Sequence, residues 1–206
     1  MKSKTLIISV VFVALLASVL YSSRQVQAIT SMTISSDTNW KVTDAAGNDL
    51  GKAQAVCLDT AGNCPAGTTA WGYGGNWSAD FIPGTKWIWA PGITSETQPA
   101  FPAEYTFRNN FSLRGGTPIS GVITIAADDY AEIYINECPI GIIGSRYDEP
   151  LAANASSELH TFAFSCLDRG NNTIRIKAAN GNFGCGSGSY TCNPAGVVCQ
   201  VVVYYD

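Results

Sequence analysis

Charge is scarce in this chain of 206 residues. Asp, Glu, Lys and Arg together make up 14%, against about 25% in an ordinary globular domain. Basic residues are the scarcer kind, 12 against 16 acidic, for a formal net charge of −4. Nucleic-acid binders are usually basic, so that class is disfavoured. Histidine occurs once and methionine twice. A single His160 cannot build a histidine metal site, and no C-x2-C pair is present for zinc. The sequence contains no G-x-S-x-G nucleophile turn and no C-x-x-C-H haem attachment. Apart from the first 28 residues, no window of a dozen residues keeps a 3.6-residue apolar period, which argues against a helical bundle.

What is present is apolar and rich in glycine. Apolar residues reach 46%, aromatics 11%, and there are 20 glycines and seven cysteines. That suffices for one core of good size. The chain opens with Lys2 and Lys4. An uncharged run from Thr5 to Tyr21 follows, then a polar stretch ending Val26-Gln27-Ala28. Basic, apolar, then polar with small residues at −3 and −1 is the layout of a secretory signal. We therefore expect a signal helix over residues 1–28, with cleavage after Ala28 and a single domain over residues 29–206. An uncleaved anchor is the rival reading, although the run is at the short limit for spanning a bilayer. Cleavage would remove Lys2, Lys4 and Arg24 and raise the net negative charge. Such a chain is repelled by nucleic acid and by anionic membranes.

Export makes disulfides the default reading of the cysteines. Cys57 and Cys64 bracket one turn-rich loop, and Cys185 and Cys192 bracket another. Cys138 and Cys166 could join neighbouring strands. Cys199 is left over inside an apolar strand, as a buried thiol or an intermolecular bridge. Short β-branched and aromatic runs recur between Gly, Pro, Asn and Asp. Strands are expected over 30–35, 87–89, 104–113, 119–126, 130–136, 140–143, 159–166, 173–179 and 196–205. Many short strands with turns every ten or so residues imply an all-β fold, an antiparallel sandwich or barrel.

Several of these segments carry a family resemblance. They are Trp87-Ile88-Trp89, Tyr105-Thr106-Phe107-Arg108 with Phe111 and Leu113, and Ala127-Asp128-Asp129-Tyr130 with Ile133-Tyr134-Ile135-Asn136. Leu167 to Ile174 and Asn193-Pro194-Ala195-Gly196-Val197 complete the set. Together they resemble the galactose-binding-like jelly roll, a non-catalytic sandwich of secreted proteins and glycoside hydrolases. The resemblance covers most of residues 33–205 and implies an antiparallel jelly-roll β-sandwich. Its usual Asn-Gly turn reads Asn136-Glu137-Cys138-Pro139 here, and the cysteine loops are additional. Members bind varied sugars or pack against a neighbouring domain, so the fold alone does not give a function.

The most suggestive ligand site is Trp71-Gly72-Tyr73-Gly74-Gly75-Asn76-Trp77. Aromatic faces stack on the C–H faces of sugars, and Asn76 offers a donor and an acceptor to hydroxyls. The competing reading buries Trp71 and Trp77 as plugs of the sandwich. Trp87 and Trp89 read as core. Asp128-Asp129 could ligate calcium, but two carboxylates are too few for a cage, and Asp is a common turn residue. Sequons occur at Asn76, Asn110, Asn154 and Asn171; about two would arise by chance in this composition, so the signal is weak.

The leading expectation is a secreted, disulfide-stabilised binding domain without catalytic residues, cofactor or metal. Its ligand would be carbohydrate of an envelope or extracellular matrix, bound by Trp71, Tyr73, Asn76 and Trp77. The alternative is a self-assembling subunit of an extracellular filament or surface layer. Residues 29–36 would then complete a neighbour's sheet by strand addition. A hydrolase ranks below both.

Overall fold

The computed structural model describes residues 29–58, 64–73, 77, 82–97, 103–181, 183 and 189–206. The expected signal, Asn76 and Cys185 lie outside the described residues. Among the described residues no helix is long and apolar enough to cross a membrane.

Thirteen strands and one helix follow one another along the described chain. The strands are β1 (Thr30–Ser35), β2 (Lys41–Asp44), β3 (Asp49–Lys52), β4 (Gln54–Cys57), β5 (Thr69–Ala70), β6 (Ile88–Trp89) and β7 (Ala103–Leu113). They continue as β8 (Pro118–Asp128), β9 (Tyr130–Ile135), β10 (Cys138–Gly144), β11 (His160–Phe164), β12 (Gly170–Asn180) and β13 (Gly196–Tyr205). Helix α1 (Glu149–Ser157) lies between β10 and β11.

The strands form two sheets. The first runs β11-β8-β13-β6-β4-β5, with β1 also on β13, and the second runs β10-β9-β12-β7-β2-β3. All pairings are antiparallel except the short parallel contact of β4 with β5. The reason is local. Val42, Phe107, Ile133, Ile135, Ile174 and Ile176 alternate with polar residues on the second sheet, and Ile123, Ile125, Val201 and Val203 do so on the first. Period-two alternation gives each sheet one apolar face, and two such faces must cover each other. Trp89 of the first sheet meets Phe107 of the second with ring centroids 5.7 Å apart, and the edge of Tyr105 at 5.4 Å. This all-β sandwich fits the galactose-binding-like jelly roll that the motifs resemble.

Most expected strands form within one to three residues of their expected ends. β1 spans Thr30–Ser35 as expected and lies on β13 of its own chain, with register from Thr30–Tyr205 to Ser35–Gln200. Ser36 locks its end: its backbone N–H donates to the Cys199 carbonyl at 2.9 Å, and its hydroxyl accepts from the Cys199 N–H at 3.1 Å. Strand addition to a neighbour would first have to break this pairing. The departing Asn136 turn is explained too. Asn136 takes φ 54 itself, and its side chain binds the Cys166 carbonyl and the Thr173 N–H. Disulfides join Cys57 to Cys64 and Cys138 to Cys166, and Cys192 is also disulfide-bonded. Cys199 is a buried free thiol, and burial pushes its pKa up. It is therefore inert as a nucleophile.

Tryptophan fills one end of the sandwich. Trp77 stacks on Trp87 at 4.0 Å, and both sit over Gly196, the first residue of β13. A Cβ there would lie 2.8 Å from the Trp87 ring and 2.9 Å from the Trp77 ring. Gly196→Ala should therefore lower stability by about 1–3 kcal/mol through overpacking. A urea melt of wild type and variant measures this. An unchanged midpoint would show that the stacked pair has room to move.

Candidate functional site

The chain changes sheets at Asp128-Asp129. Asp128 ends β8 in the first sheet opposite Gly196, and Tyr130 opens β9 in the second opposite Ala179. The whole crossing is made at Asp129. Its N–H donates to the Ala179 carbonyl, and its carbonyl accepts from the Ser145 N–H, each at 3.2 Å. A corner this tight leaves both Asp side chains inside the end of the sandwich, where they are buried. Each has a fixed donor. The Trp77 indole N–H donates to Asp128 Oδ2, and the Gly181 N–H donates to Asp129 Oδ2, both at 2.8 Å. The Asp128 carboxyl lies close enough to Asp129 for its charge to raise the proton affinity of Asp129.

Burial pushes the pKa of Asp128 up, against the bonds from Asp129 and Trp77 that favour its charged form. Burial also raises Asp129, the neighbouring Asp128 charge adds to the rise, and the Gly181 N–H opposes it. Two carboxyls in contact cannot both ionise cheaply. The pair thus holds a proton at neutral pH and can both donate and accept.

These carboxyls floor a cleft of about 340 Å³. Its walls are Leu58 and Tyr73 from the segments after β4 and β5, Glu149, Ala152, Ala153, Ser156 and Ser157 from α1, and Phe183, Cys192, Asn193 and Pro194 before β13. Helix α1 stands there because Asp148 caps it, accepting from the Leu151 N–H at 3.2 Å, and because Pro150 suits its first turn. Ala152 and Ala155 face inward, which sets the helix close over the corner.

The Trp71–Trp77 segment divides. Gly72 has φ +74, a left-handed conformation open to glycine. The residues on its two sides go to different surroundings. Trp71 is fully buried: its ring stacks on Tyr190 at 4.8 Å, and its indole N–H donates to the Ala195 carbonyl at 2.8 Å. Tyr73 is 40% exposed at the cleft, with its N–H donated to the Leu58 carbonyl at 2.7 Å. The expectation that Trp71 forms a stacking platform is therefore corrected, because protein covers its ring and satisfies its N–H. Trp77 is also a buried side chain, and its part in the cleft is to hold Asp128. Of the four expected ligand residues, Tyr73 and Trp77 line the cleft, and Asn76 falls outside the described residues.

From sequence alone the carboxyl pair reads as a turn. Burial gives it a place in the cleft that the turn reading missed. The signal was available in Asp128-Asp129 standing between two apolar strands of opposite facing. Among the described residues no group of three or more acidic, His or Cys side chains is arranged to hold a metal ion.

No protein-family model matches this chain, and no curated protein matches it. Solved structures with a similar arrangement include a native α-L-rhamnosidase from Aspergillus terreus. It is 19% identical, over 54% of this chain and 14% of that one, with a TM-score of 0.40. An FMN-binding β-glucuronidase from Facaelibacterium prausnitzii L2-6 is 9% identical, over 84% of this chain and 23% of that one, with a TM-score of 0.41. A family 35 carbohydrate binding module from Clostridium thermocellum is 12% identical, over 82% of this chain and 97% of that one, with a TM-score of 0.36. The chain thus spans a small part of the two enzymes and nearly the full length of the module.

The shared proton sets a pH dependence. An acid whose pKa is raised by folding stabilises the fold fully below its unfolded value near 4, and that stability is lost as pH rises toward the folded value. One retained proton lowers stability by about 1.4 kcal/mol per pH unit across that window. Wild-type melting temperature should fall from pH 5 to pH 8, and Asp129→Asn, which keeps an oxygen for Gly181, should flatten the fall. Parallel profiles for the two proteins would show that the pair holds no proton.

Proposed function

We propose that this is an exported, non-catalytic binding domain whose cleft takes a carbohydrate. The observation that carries the reading is Tyr73, an exposed aromatic ring at a cleft floored by a protonated carboxyl pair. Ligand sites combine apolar wall with a few convergent polar groups, and about 300 Å³ is the lower end of their usual volume. Tyr73, Leu58 and Phe183 supply apolar wall. Asp128, Asp129, Asn193, Ser156 and Ser157 supply groups that suit hydroxyls. A carboxyl pair that shares one proton both donates to and accepts from a sugar hydroxyl, and it buries one negative charge instead of two.

Binding without hydrolysis is supported by the geometry of the same pair. Glycoside hydrolysis uses two carboxyls separated by about 5–10 Å on either side of the bond to be cut. Asp128 and Asp129 are consecutive residues buried at one corner, and the charge of Asp128 reaches Asp129, which does not fit two carboxyls set on either side of a bond. The disulfides support an oxidising compartment, and so export. The filament alternative has less support, because the strand it would donate already closes its own sheet.

Tyr73→Ala should weaken glycan binding by about tenfold or more, the loss of one stacking ring, while melting temperature stays within a degree or two of wild type. Glycan-array screening followed by calorimetry on the best ligand tests it. Equal affinity of variant and wild type would remove the cleft from consideration.

A further inference from the structure

The outward face of the second sheet carries charge that the cleft does not use. Residues paired in register on neighbouring strands share a face. Tyr134 of β9 pairs with Arg175 of β12, Arg175 with Arg108 of β7, Arg108 with Lys41 of β2, and Lys41 with Lys52 of β3. Their sequence neighbours Ile133, Ile176, Phe107 and Val42 are buried in the core, so this row points to solvent. Strands lie about 4.8 Å apart, and the four cations therefore span roughly 14 Å. Lys177 stands one row away, opposite Glu132. These five are a large share of the 12 basic residues in a chain whose net charge is negative.

Like charges set directly opposite each other destabilise a sheet. Here three successive pairings set cation against cation. At the β9 end the repulsion is relieved from within. Arg175 reaches Glu137 at 3.2 Å and lies over the Tyr134 ring at 4.5 Å, and Lys177 is 3.9 Å from Glu132. Glu132 is itself fully engaged. Burial works to raise it, but the Tyr134 and Tyr130 hydroxyls and the charges of Lys177 and Arg146 hold it below the usual carboxylate range. Toward the β3 edge nothing comparable occurs. Arg108, Lys41 and Lys52 are exposed, and none makes an ion pair among the described residues. The Lys52 ammonium donates only to the neutral Asn39 Oδ1, at 3.1 Å. Asp49 stands opposite Thr43 in the adjoining row and Asp37 accepts from Asn39, and neither forms an ion pair with these cations among the described residues. The flanking rows on β7, β2 and β12 present Thr106, Thr43, Asn110 and Thr173.

We propose that this row is a second binding site, independent of the cleft, and that its occupant is an acidic polysaccharide laid across the strands. Its carboxylates would supply the counter-charge that Arg108, Lys41 and Lys52 lack, Arg108 by a paired guanidinium contact. The flanking threonines and asparagine face the hydroxyls of the same chain. The row is a local positive strip on a molecule of net negative charge, so an acidic polymer is held there by short-range contacts that salt weakens.

The test uses the full-length chain, produced through a secretion pathway so that its disulfides form, and calorimetric titration with polygalacturonate. Wild type should bind polygalacturonate and not neutral dextran. Affinity should fall by some tens of fold between about 50 and 200 mM salt, as release of counterions by the three unpaired cations requires. The triple variant Lys41→Gln, Lys52→Gln and Arg108→Gln should bind at least tenfold more weakly. Its melting temperature at low salt should be equal to wild type or higher, since the substitutions remove repulsion. Tyr73→Ala should bind polygalacturonate as wild type does, which separates this site from the cleft. Absence of wild-type binding at about 50 mM salt, or unchanged affinity in the triple variant, would overturn the proposal. Equally tight binding of polyphosphate or duplex DNA would overturn it as well, by showing a surface for any polyanion.

Discussion

The corner at Asp128-Asp129 is the constraint on which the rest of this structure depends. A sandwich needs its chain to pass from one sheet to the other, and here the passage is made in one residue. The first sheet is fixed up to Asp128 by its pairing with Gly196, and the second is fixed from Tyr130 by its pairing with Ala179. Both carboxyls are buried at this corner. The protein therefore keeps two acids in its interior, and burial settles their chemistry by forcing them to share a proton. Everything around the corner serves that arrangement. Trp77 gives its N–H to Asp128, Gly181 gives its own to Asp129, and Asn193 bonds the Gly181 carbonyl and so steadies the donor. Trp77 is in turn held by Trp87, and both require Gly196 to be without a side chain.

The same constraint explains which parts could be read from the sequence. Long strands with one clear apolar face, β7, β8, β12 and β13, were legible because alternation survives along ten or eleven residues. β2, β3, β4 and β5 were not. β3 is Asp-Leu-Gly-Lys with all four residues exposed, so it has no apolar face to read, and it is a strand because it pairs with β2 at the sheet edge. Helix α1 escaped because nine residues with only Ala152 and Ala155 buried leave almost no apolar period. Its local signal was the cap, Asp148 followed by Glu149 and Pro150, which is a helix start on its own terms.

The candidate site was legible only in part, and for a different reason. Aromatic-glycine segments identify where rings and sharp turns occur, but not the side on which each ring falls. That is decided by backbone angles such as φ +74 at Gly72, and by whether a partner waits inside, as Tyr190 does for Trp71. The Cys57–Cys64 bridge was legible because closure of a short loop is a local matter. Cys57–Cys64 sits at the end of β4, beside the Leu58 carbonyl that holds Tyr73, so the bridge pins the part of the loop that reaches the cleft.

Scarcity of charge makes the placement of each charge more informative. A surface dense in mixed charge can hold a like-charged pair without consequence, because neighbours of the other sign are always near. This chain has few such neighbours to spare. Its buried acids lie at one end of the sandwich, where a shared proton halves their charge. Its cations gather in register on the outer face of one sheet, where Glu132 and Glu137 serve only the β9 end. The two regions answer repulsion differently: the interior pair takes up a proton, and the exposed row must draw its counter-charge from solution. The ligand proposed for the cleft is accordingly hydroxyl-rich, and the one proposed for the sheet face is acidic, because the two regions differ in what each already holds as counter-charge.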